Sequence, residues 1–136
     1  MRLINKIIIH CSATPEGKDF TASDIQAWHV KRGFNEIGYH FVIGLDGTVE
    51  RGRNIQRVGA HCLGQNRNSI GVCYIGGLAE DGKTPKDTRT EAQKKSLLLL
   101  IRELKAKYPR ITIHGHNEYA AKDCPCFDVK AEYAEI

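Results

Sequence analysis

The residues with the clearest chemical potential are histidines and cysteines placed where apolar or turn-rich segments end. "KIIIHCSAT", Lys6 to Thr14, runs three isoleucines into His10. "RITIHGH" delivers His114 and His116, and eight residues after His116 comes Cys124 in "KDCPCFD". Two imidazoles and a thiolate suit zinc, which takes nitrogen and sulfur ligands in a tetrahedron and keeps a fourth position for water in catalytic sites. A strand end is a rigid perch for such ligands. Residue type and spacing alone leave a bland alternative standing: strand-end histidines are commonly structural, and a lone cysteine is commonly buried filler.

The elements that must hold these groups are legible from pattern. Lys6 to Ile9 reads as a continuous apolar strand buried on both faces. "TASDIQAWHVKRG" reads as a helix with Thr21 as N-cap and Asp24 three residues on. Its Ile25, Trp28 and Arg32 share one face, and Gly33 ends it. "YHFVIGLDGTVERG" reads as a hairpin whose Asp46-Gly47 pair suits a two-residue type I′ turn. "SIGVCYIGG" is a strand, followed by a polar loop over Glu80 to Thr90. Thr90 and Gln93 form a capping-box pattern for a helix running to Tyr108, where Leu97, Ile101 and Leu104 repeat on one face and Pro109 stops it. "RITIHGH" is the last strand, and Asp128 caps a short C-terminal helix. Interleaved strands and helices predict an α/β fold, a single domain over residues 1–136 with a mixed central β-sheet flanked by helices.

Size and composition set limits. A chain of 136 residues with 41% hydrophobic and 26% charged residues has the balance of a globular protein, and it can bury roughly two-thirds of its unfolded surface. No stretch approaches the roughly 20 apolar residues needed to span a membrane, so no membrane insertion is expected. Nor is a signal peptide evident, which predicts a chain that is cytoplasmic as synthesised and reaches any cell-wall target only after release. The net charge of +4 is mild, and no basic run marks a nucleic-acid footprint. Size and the lack of an evident apolar patch favour a monomer. Five cysteines, an odd number, are better read as reduced thiols than as a disulfide framework. Cys11 should point away from His10 into the core, while Cys126 is filler or a spare thiol beside Cys124. His40 is assigned to packing, and His29, beside Trp28, to the surface or a partly buried position.

Taken together and in order, "HCSAT", "GYHFVIGLDGTVERGR", "GAHCLGQNRNSIGVCYIGG" and "HNEYAAKDCPCFD" closely resemble the zinc-dependent N-acetylmuramoyl-L-alanine amidases of bacteriophage-lysozyme type, relatives of the peptidoglycan recognition proteins. The resemblance spans roughly Lys6 to Lys130. It implies one Zn2+ per chain held by His10, His116 and Cys124, with Tyr39 of "GYHF" and Lys122 of "KDCP" as the two further catalytic residues. By the same pattern His114 has the wrong spacing to Cys124 to be the ligand. The resemblance also places the loop carrying His61, Asn66 and Asn68 beside the substrate groove, where imidazole and carboxamide groups could bind a peptidoglycan or muropeptide substrate. Turn geometry is an equal explanation for the two asparagines. The implied activity is cleavage of the amide between N-acetylmuramic acid and L-alanine, as in a phage or prophage endolysin. A peptidoglycan-binding recognition module without catalysis is the alternative.

Overall fold

The isoleucine run forms a strand with no exposed face. In a computed structural model covering residues 1–136, β1 (Lys6–Cys11) carries Ile7, Ile8 and Ile9 at 0% exposure. It lies between β5 (Ser69–Tyr74) and β7 (Thr112–Gly115), parallel to both. β3 (Phe41–Ile43) continues the sheet parallel to β5, and β4 (Val49–Arg51) closes that edge antiparallel to β3. β2 (Thr14–Pro15) and β6 (Gly77–Leu78) form a separate two-stranded parallel ladder. The mixed sheet flanked by helices is therefore as expected.

Alternation divides the side chains between two layers. Ile7, Ile9 and Cys11 join Ile70, Val72, Tyr74 and Ile113 in the larger core, closed by Leu97, Ile101 and Leu104 of α2 (Glu91–Lys107) and by Val129 of α3 (Val129–Glu132). Val42, Cys73 and Ile75 face the other way, onto Ala22 and Ile25 of α1 (Ala22–Lys31). Ile8 and His10 alternate toward this second side. Cys11 sits in the larger core, 5% exposed, opposite to His10.

All three helix starts use the expected caps. Thr21 and Asp24 satisfy each other's backbone N–H groups, and so do Thr90 and Gln93. Gln93 does more: its fully buried amide nitrogen donates to the carbonyls of Ile43 (3.2 Å) and Ile75 (2.9 Å), tying α2 to the sheet. Asp128 accepts from the Ala131 N–H at 3.1 Å. Arg89, in the loop before α2, has a side chain only 1% exposed and pairs with Asp87 and with Glu132 of α3. Its guanidinium also lies 3.4 Å from the centroid of the Phe127 ring, so it fastens the C-terminal segment to the body of the fold.

Three local expectations need correction. In α1 the buried stripe runs through Ala22, Ile25 and His29, which leaves Trp28 38% exposed and Arg32 at the surface. Residues 25 and 29 are helical neighbours, and the sheet takes the side of the helix centred between them. The hairpin has no two-residue turn. Ile43 pairs with Val49, the Gly47 N–H bonds back to the Gly44 carbonyl, and positive φ occurs at Gly47 but not at Asp46. A Cβ at Gly47 would meet Ser96 Oγ at 2.8 Å, so the longer turn docks closely on α2. Finally, β7 ends at Gly115, and His116 begins a 3-10 turn that runs to Glu118.

His40, just before β3, is 1% exposed. The Gly71 N–H donates to its Nδ1 (3.0 Å), and its Nε2–H donates to the Arg57 carbonyl (2.8 Å), an arrangement only the neutral ring can make. Burial is the main reason its pKa falls from 6.5 to about 4. The unfolded chain therefore binds this proton over an interval in which the folded chain does not, and acidification from pH 6.5 toward 4 favours unfolding. The contribution approaches about 3 kcal/mol at about 1.4 kcal/mol per pKa unit. Urea unfolding of chelated protein at pH 7, 5.5 and 4.5 should show this loss, and His40→Gln should flatten the slope. An unchanged slope in the variant would contradict the assignment.

Candidate active site and metal centre

Strand register builds the centre. In the parallel pair of β1 and β7, Ile9 lies opposite Gly115. The next residue in each segment is a histidine, His10 still on β1 and His116 at the first position of the 3-10 turn after β7, and their ring centroids are 4.5 Å apart. Cys124 arrives from the C-terminal loop, where the Cys11 backbone N–H donates to its sulfur at 3.2 Å. One ligand atom from each of His10, His116 and Cys124 lies within 4.8 Å of the other two, a group that can hold a metal ion. It stands at the C-terminal ends of the parallel strands, where open α/β sheets bind their ligands.

The supports of these groups are short and specific. The Tyr74 hydroxyl donates to the Pro125 carbonyl at 2.6 Å, and the Cys126 thiol donates to the Gly77 carbonyl at 3.3 Å, so both residues after Cys124 are pinned to the sheet. Glu118 accepts from the Gly115 N–H at 2.7 Å and so fixes the turn that displays His116. His114 is engaged elsewhere, with Nε2 2.7 Å from the Thr112 hydroxyl and Nδ1 3.0 Å from Glu118. Neither His114 nor Cys126 belongs to the ligand group, which leaves three donors, the number found in catalytic zinc sites. All five cysteines are free thiols.

The electrostatics suit a metal. His10 is 1% exposed, and burial, followed by His61, His116 and Lys122, holds its pKa well below 6.5. Burial and then Lys122 also lower that of His116. Both rings are thus neutral near pH 7, the form in which imidazole donates a lone pair. Tyr39, whose ring centroid is 5.0 Å from that of His10, has its pKa pushed well above 10, chiefly by burial, and keeps its phenolic proton.

A groove of about 610 Å³ opens over this cluster. Tyr39, His61, Asn66, His116 and Lys122 line it together, with Phe34, Leu63 and Tyr119 as apolar wall. Asn68 is not part of the lining; its amide donates to the Leu3 carbonyl at 2.9 Å. Asn66 uses its Oδ1 to accept the N–H groups of His61 and Cys62, both at 2.9 Å, and its amide nitrogen makes no bond within the protein. Both ring nitrogens of His61 are engaged, Nδ1 with His10 Nε2 at 2.8 Å and Nε2 with Ser69 Oγ at 3.2 Å. Burial is the first cause that lowers its pKa to about 3. Pattern reasoning missed Arg32, Phe34 and Tyr119, which reach the groove from separate segments and carry no shared sequence signal. It also undervalued His29, whose buried Nδ1 accepts from the Gly38 N–H at 2.8 Å and so steadies the residue before Tyr39.

Comparison with known proteins agrees with this geometry. Residues 1–127 match the family model described as N-acetylmuramoyl-L-alanine amidase. The chain belongs to the N-acetylmuramoyl-L-alanine amidase family. The endolysin of Escherichia phage T7 is 45% identical over 124 residues, covering 91% of this chain and 82% of that protein. The endolysin of Klebsiella phage KP32 is 42% identical over 126 residues, covering 93% and 83%. Among solved structures, the amidase LysC from Clostridium intestinale superposes with a TM-score of 0.81 at 29% identity, covering 98% of this chain and 87% of that one. Drosophila PGRP-LB superposes with a TM-score of 0.81 at 28% identity, covering 99% and 82%. Family membership carries with it the amide hydrolysis for which the amidases are named. Within this amidase fold no helix is long and apolar enough to cross a membrane.

Proposed function

We propose that the chain hydrolyses the amide between the lactyl group of N-acetylmuramic acid and L-alanine in peptidoglycan, using one Zn2+ held by His10, His116 and Cys124. The observation that carries the metal is the convergence of two imidazole nitrogens and a sulfur within 4.8 Å. Two neutral rings and one thiolate leave about one positive charge at the centre. When bound, zinc supplies Lewis acidity, polarising the amide carbonyl and lowering the pKa of water from 15.7 toward roughly 7.

The protein's own groups complete the reaction. The protonated Tyr39 hydroxyl, beside His10, can donate a hydrogen bond or a proton to the reacting amide. The Lys122 ammonium, at the groove edge two residues before Cys124, offsets the negative charge that develops on the carbonyl oxygen. Asn66 offers its unpaired amide nitrogen to a substrate carbonyl. Phe34, Leu63 and Tyr119 shield the apolar parts of the substrate from water. His61 and Asn68, both assigned to substrate binding by resemblance, have their polar atoms committed internally, so Asn66 is the member of that set proposed to touch substrate. The endolysin relatives support an enzyme that acts on the wall after release from the cytoplasm, and we propose a monomer. A recognition module that binds wall fragments without cutting them is the second reading, and turnover separates the two.

Purified sacculi incubated with the zinc-loaded protein should release stem peptides beginning with L-alanine and leave the sugar chains intact, as read by mass spectrometry. A chelator should stop the release, and added zinc should restore it. Binding without release would leave the recognition-module reading. Cys124→Ser should abolish turnover and weaken zinc binding by more than the roughly 10–100-fold typical of losing an outer-sphere partner, because a neutral hydroxyl replaces a thiolate. Full turnover in that variant would refute the ligand set. Lys122→Ala should lower kcat by about 10²–10³-fold while retaining zinc. Parallel loss of zinc and activity would assign Lys122 to structure instead.

A further inference from the structure

We infer that His61 is a positioning residue, which through its hydrogen bond to His10 turns Nδ1 of that ring toward the metal. The inference rests on the proposed zinc site and names the group that presets its first ligand. The two rings meet edge to face, centroids 4.9 Å apart, with His10 Nε2 2.8 Å from His61 Nδ1. With Nε2 occupied in this way, Nδ1 is the nitrogen of His10 left to ligate.

Proton placement then follows from valence. A neutral imidazole carries one N–H. For Nδ1 of His10 to offer a lone pair, its proton must sit on Nε2 and be donated to Nδ1 of His61. His61 must in turn carry its proton on Nε2, which donates to Ser69 Oγ at 3.2 Å. Ser69 is fully buried, and that hydroxyl has no other protein partner. The chain therefore runs from metal ligand to buried hydroxyl with every proton assigned. In the reverse order His61 would donate to His10, whose Nδ1 would then hold the proton and could not bind metal.

The surroundings fix His61 in this role. A Cβ on Gly59 would lie 2.7 Å from its Cδ2, and one on Gly71 would lie 2.6 Å from its ring, so two glycines make the slot it fills. His40 packs edge to face on it with centroids 5.9 Å apart, and Asn66 holds its backbone N–H. Ligating histidines commonly donate their second N–H to a carboxylate, a backbone carbonyl or water. A neutral imidazole in that place orients His10 without adding negative charge, and so preserves the acidity of the metal.

The test measures zinc affinity by chelator competition, with kcat and KM taken at saturating zinc and folding checked by circular dichroism. His61→Ala should weaken zinc binding about 10–100-fold. His61→Asn, whose Oδ1 can stand in for the Nδ1 acceptor, should recover most of that loss, and KM should move little in either variant. Ser69→Ala, which removes the far end of the chain but leaves the ring, should weaken zinc binding by a smaller factor. It keeps the inference testable if His61→Ala does not fold. Wild-type zinc affinity in His61→Ala, or in Ser69→Ala where His61→Ala does not fold, or a raised KM with unchanged affinity, would overturn the positioning role. Absence of zinc binding by the unaltered protein would instead defeat the metal-site reading itself.

Discussion

In the parallel pair of β1 and β7, Ile9 faces Gly115, and the residues that follow are His10 and His116. Everything at the site depends on that register. A slip of one residue would exchange the faces of every side chain on one strand, burying an imidazole among Ile70, Val72 and Leu97 and turning an isoleucine into the groove. The isoleucine run of β1 is buried on both sides, so the cost of the slip falls at the strand end, where an isoleucine moved out of the core forfeits about 1.5–3 kcal/mol. Parallel pairing also aligns the strand ends, so two histidines distant in sequence emerge at one edge.

The third donor is held by different means. Cys124 is on no strand, and its loop is fastened by polar contacts from three directions: the Cys11 N–H at its sulfur, the Tyr74 hydroxyl at Pro125, and the Cys126 thiol at Gly77. Arg89 then braces the following segment through Phe127 and Glu132. This division is economical in geometry. Two donors inherit the rigidity of a sheet, and the loop has to place only one atom.

How much of this was legible in sequence follows from how far apart the cooperating residues lie. The strand bearing His10, the capping boxes at Thr21 and Thr90, and the helix packed through Leu97, Ile101 and Leu104 are local patterns, readable within a few residues. The approach of His10, His116 and Cys124 depends on pairing between strands about a hundred residues apart, which no periodicity reports; only the resemblance supplied it. The hairpin departs from its local pattern because Asp46-Gly47 suits a tight turn in isolation, whereas Gly47 is here pressed against Ser96 and Ala92 of α2. Trp28 lies outside the buried stripe because helical periodicity says which residues share a face, but the sheet decides which part of that face it takes. Asn66 and Asn68 look equivalent in "GQNRNSIG", yet only Asn66 lines the groove, since the 3-10 turn between them rotates the second toward Leu3.

A cluster of imidazoles under a groove is costly unless every ring has a defined partner, because unpaired buried polar groups forfeit their hydration. Here the costs are met by neutrality and by mutual bonding: His40 on Gly71 and Arg57, His61 on His10 and Ser69. The donor face of His10 toward His116 and Cys124 is the part of the network that these bonds do not close. A ligand that binds only the folded arrangement of those three donors adds its binding free energy to folding. Stability and chemistry are therefore coupled in this fold at one point, the open side of His10, and His61 is the histidine bonded directly to that ring.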